Sequence, residues 1–155
     1  FKQVKITTRH IEVLRVHFTY MLHIALTSLA GIISFVVLDY IWLARIAKDF
    51  YLEKLASHVL IRDGSLVPYL PAVPLVYIVA VLGIWYFVLT RVTDTPQAFL
   101  QGALLGFCMY AFYDLTNLAT LKDYPWSLTI VDTLWGTLLV GTVTALMFFV
   151  KNLLA

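Results

Sequence analysis

Four long apolar segments, separated by short polar ones, dominate the pattern of hydrophobic and polar positions along this chain. They cover residues 20–43, 67–89, 98–118 and 126–150. At ~1.5 Å per helical residue, each is long enough to cross a hydrocarbon core of ~30 Å. Short connections favour antiparallel packing of consecutive helices. The pattern therefore predicts an all-α integral membrane protein, with residues 19–155 forming a four-helix antiparallel bundle.

The segment between the first two spans has a different pattern. Across residues 44–63, apolar side chains recur near helical spacing, and charged residues such as Lys48 and Glu53 fall largely between them. This spacing predicts an amphipathic helix that either lies in the membrane interface or packs over the end of the bundle. Pro68, Pro71 and Pro74 then predict a bent or late start for the second span.

Composition agrees with a membrane location. The chain is 61% hydrophobic and 13% charged, whereas soluble domains are about 45–50% apolar and about 25% charged. Residues 1–18 form a basic N-terminal extension that holds four Lys or Arg residues against Glu12. Such a flank favours termini on the cytoplasmic, matrix or stromal side, in a bacterial or organellar inner membrane. Because the basic residues are few and flank a span, nucleic-acid binding has no support.

Asp39, Asp114 and Asp132 lie inside predicted spans, and they are the candidate functional residues. The end of an odd span and the start of an even span lie at the same membrane face, so the three carboxylates should share a similar depth. A charge inside a membrane helix costs ~2.5–3.5 kcal/mol on insertion scales, so each needs an interior partner. Arg45 is the nearest basic residue. Candidate polar partners nearby are Trp42, Tyr110, Tyr113, Thr116, Asn117, Thr120 and Trp135.

Several roles for such an aspartate cluster stay open. With no cation at their depth, the carboxylates should share a proton or hold a cation between them. The cluster could act as acid and base on a lipid or other amphiphile, or serve as an ion or proton site in a small transporter. It could instead fix the register of the bundle through internal hydrogen bonds. The sequence contains no cofactor motif and no His or Cys spacing typical of a metal site.

Short motifs around these aspartates resemble a known family. Asp39-Tyr-Ile-Trp-Leu43 ends the first span, Tyr113-Asp-Leu-Thr-Asn-Leu-Ala-Thr120 ends the third, and Pro125-Trp126 with Asp132-Thr-Leu-Trp-Gly136 opens the fourth. In combination they are similar to the small membrane proteins grouped as domain of unknown function 2177, over about residues 19–150. The resemblance implies a four-helix membrane protein with these aspartates as hallmark positions. It implies no reaction, substrate or cofactor.

Taken together, these observations favour a small multi-pass protein that acts as a structural or accessory subunit of a larger membrane complex. The basic extension before the first span fits an organellar setting, in which bound lipid and other membrane subunits are the expected partners. The alternatives are a membrane-embedded enzyme acting on a lipid or amphiphile, and a small ion- or proton-coupled transporter. Both would use Asp39, Asp114 and Asp132.

Overall fold

The computed structural model describes residues 2–55, 61–62 and 65–154, with side chains described from residue 12 onward except at positions 65 and 66. Most of this chain is helical. In order, the elements are helix α1 (Lys2–Ile41), a π-helical turn (Trp42–Ile46), helix α2 (Lys48–Leu55), strands β1 (Ile61–Arg62) and β2 (Ser65–Leu66), helix α3 (Val73–Ile84), a second π-helical turn (Trp85–Leu89), helix α4 (Thr95–Thr120) and helix α5 (Trp126–Leu154).

Long apolar helices confirm the predicted class of helical membrane protein. Within the described chain, three stretches are long and apolar enough to cross a membrane: Glu12–Ile46, Thr95–Thr120 and Trp126–Leu154. A fourth apolar helix, Val73–Leu89, is shorter. At ~1.5 Å per residue it extends ~25 Å, slightly less than a typical hydrocarbon core.

The connection between the first two apolar segments differs from the prediction. The helix expected over residues 44–63 is regular only at Lys48–Leu55, and the prediction is wrong at 61–62, which form a strand paired with β2. The rest of the predicted helix beyond Leu55, residues 56–60 and 63, lies outside the described residues.

Local sequence explains where the later helices begin. α3 starts late, at Val73, with proline in its first turn, because a proline N–H is not needed there and a proline deeper in a helix would break it. The Asp94 side chain caps α4 by accepting a hydrogen bond from the Gln97 backbone N–H at 2.8 Å. The Gln97 side chain in turn accepts from the Thr93 N–H at 2.8 Å. These reciprocal bonds satisfy donors that a helix start leaves unpaired.

Small residues bring α4 and α5 into close contact. A methyl group added at Gly102 would overlap Thr144, and one added at Gly106 would lie 2.7 Å from the Val140 Cβ. Along this contact, residue numbers therefore increase on α4 while they decrease on α5. Glycines spaced by four residues give α4 a flat face, which permits this backbone approach in a membrane bundle.

Among the residues of α1 whose side chains are described, those that pack against α5 and the apolar helix Val73–Leu89 lie in its second half. Gly31 lies against Met147, and Ser28 accepts a hydrogen bond from the Trp85 indole at 2.9 Å. Thr27 is the first fully buried residue of α1 for which burial is described. Residues 12–22 of α1 are exposed throughout.

Candidate functional site

A network of aspartates and aromatic side chains lies at one end of the bundle. Asp39 is in the last turn of α1, Asp114 is near the end of α4, and Asp132 is in the second turn of α5. Helix α2 lies over this end, because its buried Tyr51 belongs to a small core cluster with Leu128 of α5. The predicted amphipathic segment therefore packs on the bundle through at least one face.

Asp39 has a hydrogen-bond donor on each carboxylate oxygen. Tyr77 of α3 donates to Oδ2 at 3.0 Å, and the Trp135 indole N–H of α5 donates to Oδ1 at 3.0 Å. A buried carboxylate is stabilised when its lone pairs are met by fixed donors. Asp39 thus joins three helices through two neutral aromatic donors.

Asp132 is linked to Asp39 through a pair of stacked indole rings. The Tyr51 hydroxyl donates a hydrogen bond to Asp132 Oδ1 and accepts one from the Trp42 indole N–H at 3.2 Å. The Trp42 ring stacks on Trp135 with centroids 4.4 Å apart and planes 3° from parallel. Since Trp135 also holds Asp39, the two aspartates share one continuous aromatic framework.

Asp114 is the most completely buried of the three aspartates, with 0% of its surface exposed. Its Oδ1 accepts a hydrogen bond from the Tyr124 hydroxyl at 2.8 Å. Its Oδ2 is buried without a donor among the residues that the structure describes. The carboxyl group of Asp132 lies within hydrogen-bonding reach of Asp114, so this oxygen is available to a proton or another small ligand.

Tyr110 of α4 packs on α5 close to the three aspartates. Its ring packs directly on Gly136, where any side chain would overlap it. It is partly buried against the main core and interacts electrostatically with Asp39, Asp132 and Asp114. Gly136 therefore fixes how closely Tyr110, and α4 with it, can approach the start of α5.

All observed donors to the aspartates are neutral. The only ion pair in the described part of the chain joins Lys54 to Glu53 at 2.7 Å on the exposed side of α2. Arg45, the basic residue nearest Asp39 in sequence, is exposed. Negative charge at this end is thus met by phenol and indole hydrogens rather than by a cation.

Two tyrosines of the network, Tyr51 and Tyr124, lie outside the apolar helices, and their surroundings raise their pKa values. Burial raises the pKa of the Tyr51 phenol above its ordinary value, and the neighbouring Asp132 carboxylate raises it further. Burial likewise raises the pKa of Tyr124, with the hydrogen bond to Asp114 adding to the effect. Both phenols therefore stay protonated and able to donate at physiological pH.

The residues expected from sequence to support the aspartates divide into two groups. Trp42, Trp135 and Tyr110 lie in the network, and the Asn117 side chain interacts with Tyr124. The others, Tyr113, Thr116 and Thr120, are exposed. Thr116 and Thr120 donate to backbone carbonyls one turn earlier in α4, at 2.7 and 2.8 Å.

The sequence pattern does not distinguish the three phenols that hold the aspartates. Tyr51 lies on α2, Tyr77 on the uncharged helix α3, and Tyr124 in the turn before α5. Nothing in their spacing links them to the aspartates. The available signal was chemical, since three intramembrane carboxylates without a cation need neutral donors. No group of three or more His, Cys, Asp or Glu side chains in the described ranges is arranged to hold a metal ion.

Comparison with known proteins places the chain in a family. The model of a family of predicted membrane proteins, DUF2177, matches residues 24–149, which include all three aspartates and their observed donors. No curated protein and no solved structure matches the chain. The matched region covers most of the 155 residues. The chain belongs to the DUF2177 family of predicted membrane proteins.

Proposed function

We propose that this protein is a four-crossing antiparallel bundle that serves as a structural or accessory subunit of a larger membrane complex. The observation that supports this role is the projection of α1 beyond the rest of the bundle. We name residues 12–22 of α1 the projecting segment. Its apolar side chains are solvent-accessible, with Leu14 and Phe18 each 69% exposed.

Contacts between helices support the antiparallel arrangement. Asp39 meets Trp135 whereas Gly31 meets Met147, so residue numbers on α1 and α5 run in opposite directions. The pairs Ser28–Trp85 and Asp39–Tyr77 give the same relation between α1 and the apolar helix Val73–Leu89. Four crossings would put both termini on one side of the membrane. The basic N-terminal residues favour the cytoplasmic, matrix or stromal side.

The length of α1 supports a partner for the projecting segment. A helix of 40 residues extends ~60 Å, about twice the thickness of a hydrocarbon core. The half that packs on α3 and α5 is sufficient to cross the membrane. Apolar side chains on the other half are stabilised only if lipid or another protein covers them, since a large exposed apolar patch marks an interaction surface.

The aspartate network is also consistent with a structural role as a subunit. Asp39 has donors on both oxygens. Hydrogen bonds between the protein's own side chains link α1, α2, α3 and α5, and they join α4 to the turn before α5. Buried polar groups that are satisfied internally can fix the register of packed helices. Lipids and neighbouring membrane subunits are the partners this proposal requires, and bound lipid would cover the exposed faces of α3 and α4.

A matched pair of substitutions tests the proposal. Phe18→Ala removes an exposed aromatic ring from the projecting segment, while Phe112→Ala removes one from the outer face of α4, where Phe112 is 75% exposed. On a native gel after mild detergent extraction, we expect Phe18→Ala to release the protein from its complex and Phe112→Ala to leave the complex intact. Equal behaviour of the two variants, or a wild-type protein that migrates alone, would contradict the proposal.

A second candidate function is supported by the unpartnered oxygen of Asp114. An enzyme on a membrane amphiphile, or an ion- or proton-coupled transporter, would need a carboxyl group that is free to bind its ligand. Asp114→Asn keeps the size of the side chain and removes its acid. Loss of an activity in an otherwise folded Asp114→Asn protein would favour this candidate over the subunit role.

A further inference from the structure

The contact between Asp114 and Asp132 cannot be an ordinary hydrogen bond between two ionised groups. A carboxylate has only acceptor atoms, so two facing carboxylates form a hydrogen bond only when one carries a proton. Each already uses one oxygen to accept from a phenol, Tyr124 for Asp114 and Tyr51 for Asp132. The remaining Asp114 oxygen, Oδ2, is buried, and no donor to it lies within the described parts of the chain.

An independent observation points to the same place. Thr129 is 4% exposed, and its hydroxyl has no hydrogen-bond partner among the side chains and backbone described. It continues the row of α5 residues that face α4, because Thr144 meets Gly102, and Val140 meets Gly106. One turn at a time, that row runs through Gly136 and Thr133 to Thr129, which lies one turn from the level where Asp132 meets Asp114.

We infer that Asp114 and Asp132 form a binding site for one exchangeable proton, held between their carboxyl groups. The proton supplies the donor that Asp114 Oδ2 lacks, and it reduces the charge of the pair from two to one. Thr129 can both donate and accept, so its unpartnered hydroxyl is a group of α5 that could donate to the pair when the proton leaves.

A proton fits the site better than a metal cation does. Hard cations such as Ca²⁺ or Mg²⁺ take about six or more oxygen ligands. Here the phenols occupy one oxygen of each carboxylate, which leaves the second oxygen of each aspartate and the Thr129 hydroxyl. The groups facing the pair are Tyr51 from α2, Tyr124 from the turn before α5, Tyr110 from α4 and Asp39 from α1.

Loss of the proton has a structural consequence. Two ionised carboxylates would repel each other within a poorly solvated site, and the repulsion would pull on the phenols bonded to their other oxygens. One of these phenols belongs to Tyr51, whose side chain packs α2 against the end of the bundle. Proton binding would therefore favour the docked position of α2.

Infrared difference spectroscopy tests the inference on the full chain in lipid vesicles at neutral pH. A protonated carboxyl group gives a carbonyl band distinct from that of a carboxylate. Because one proton serves both residues, we expect Asp114→Asn and Asp132→Asn each to remove the same single band. Asp39→Asn is the matched control, and its difference spectrum should lack that band. Two different bands lost in the two variants, or no carboxyl band lost in either, would overturn the inference.

The wild-type protein decides the matter if either variant fails to fold. Its band should disappear in one step as the pH is raised, and its thermal stability at fixed pH and ionic strength should be the same in sodium and potassium chloride. A wild-type spectrum without the band would overturn the inference. Specific stabilisation by sodium, with no carboxyl band, would assign the site to a metal cation instead.

Discussion

Substitution of Gly106 by alanine should destabilise the bundle, whereas the same change at Gly83 should not. A Cβ at Gly106 would overlap the backbone carbonyl oxygen of Gly136 and lie 2.7 Å from the Val140 Cβ. At Gly83 the nearest neighbour of the new Cβ is Leu105 Cδ2 at 3.9 Å, an ordinary van der Waals contact. The two glycines thus differ in the space that an added methyl group would meet.

The expected magnitude follows from that difference. Alanine gains ~0.8–1 kcal/mol over glycine in a helix interior, and this gain applies at both positions. At Gly106, relief of the overlap requires α4 and α5 to separate by about 1 Å, and overpacking of this kind costs ~1–3 kcal/mol. Comparison of the two variants cancels the helix propensity, so Gly106→Ala should be less stable than Gly83→Ala by ~1–3 kcal/mol.

Thermal unfolding in a mild detergent, followed by helical circular dichroism, measures this difference. We expect a lower midpoint for Gly106→Ala than for Gly83→Ala, and a midpoint for Gly83→Ala at or above that of the wild type. Separation of α4 from α5 would also move Asp114 away from Asp132. Equal midpoints for the two variants would refute the close packing of α4 on α5 inferred from the glycine contacts.

Two further predictions concern the aromatic groups of the network. Since burial raises the pKa of Tyr51 and Tyr124, their contribution to stability is complete below the ordinary tyrosine pKa of about 10 and is lost as the pH rises above it. Tyrosinate absorbance of the folded protein should therefore develop at higher pH than that of the denatured chain, and coincident titration curves would contradict this. Trp135→Phe should abolish the near-ultraviolet circular dichroism of the stacked indoles, whereas Trp126→Phe, at a 65% exposed position, should leave it; equal spectra for the two variants would count against the stack.

Much of the helical framework could be predicted from hydrophobicity alone. The third and fourth apolar segments were expected at residues 98–118 and 126–150 and are observed as helices Thr95–Thr120 and Trp126–Leu154. Long apolar runs are strong signals because lipid leaves a spanning backbone few alternatives to a helix. The expected late start of the second segment is also confirmed, since proline restricts the backbone locally.

Features that depend on contacts between distant residues were harder to predict. Continuation of α1 back to Lys2 could not be read from a hydropathy pattern that becomes polar there. The hairpin at 61–62 and 65–66 lies in a segment whose apolar spacing also suits a helix. Short apolar runs of this kind do not separate helix from strand.

The aspartates were found from sequence, but most of their donors were not. A charged residue within an apolar segment is easily recognised in a sequence, so Asp39, Asp114 and Asp132 can be identified without a structure. A tyrosine in a membrane protein is common at interfaces and is amphipathic, so Tyr51 and Tyr77 carry no comparable signal. Only packing of α2 and α3 against the bundle brings those phenols to the carboxylates.

A double-mutant cycle between Tyr51 and Asp132 tests most directly the claim that neutral aromatic donors hold the aspartates and tie α2 to the bundle. The cycle compares Tyr51→Phe, Asp132→Asn and the double variant by reversible unfolding in mixed micelles. Side-chain hydrogen bonds in membrane bundles average ~0.6 kcal/mol, and bonds to charged groups contribute ~1.5–3 kcal/mol. We predict a coupling energy within ~0.6–3 kcal/mol. Additive effects of the two substitutions, with no coupling, would contradict the account.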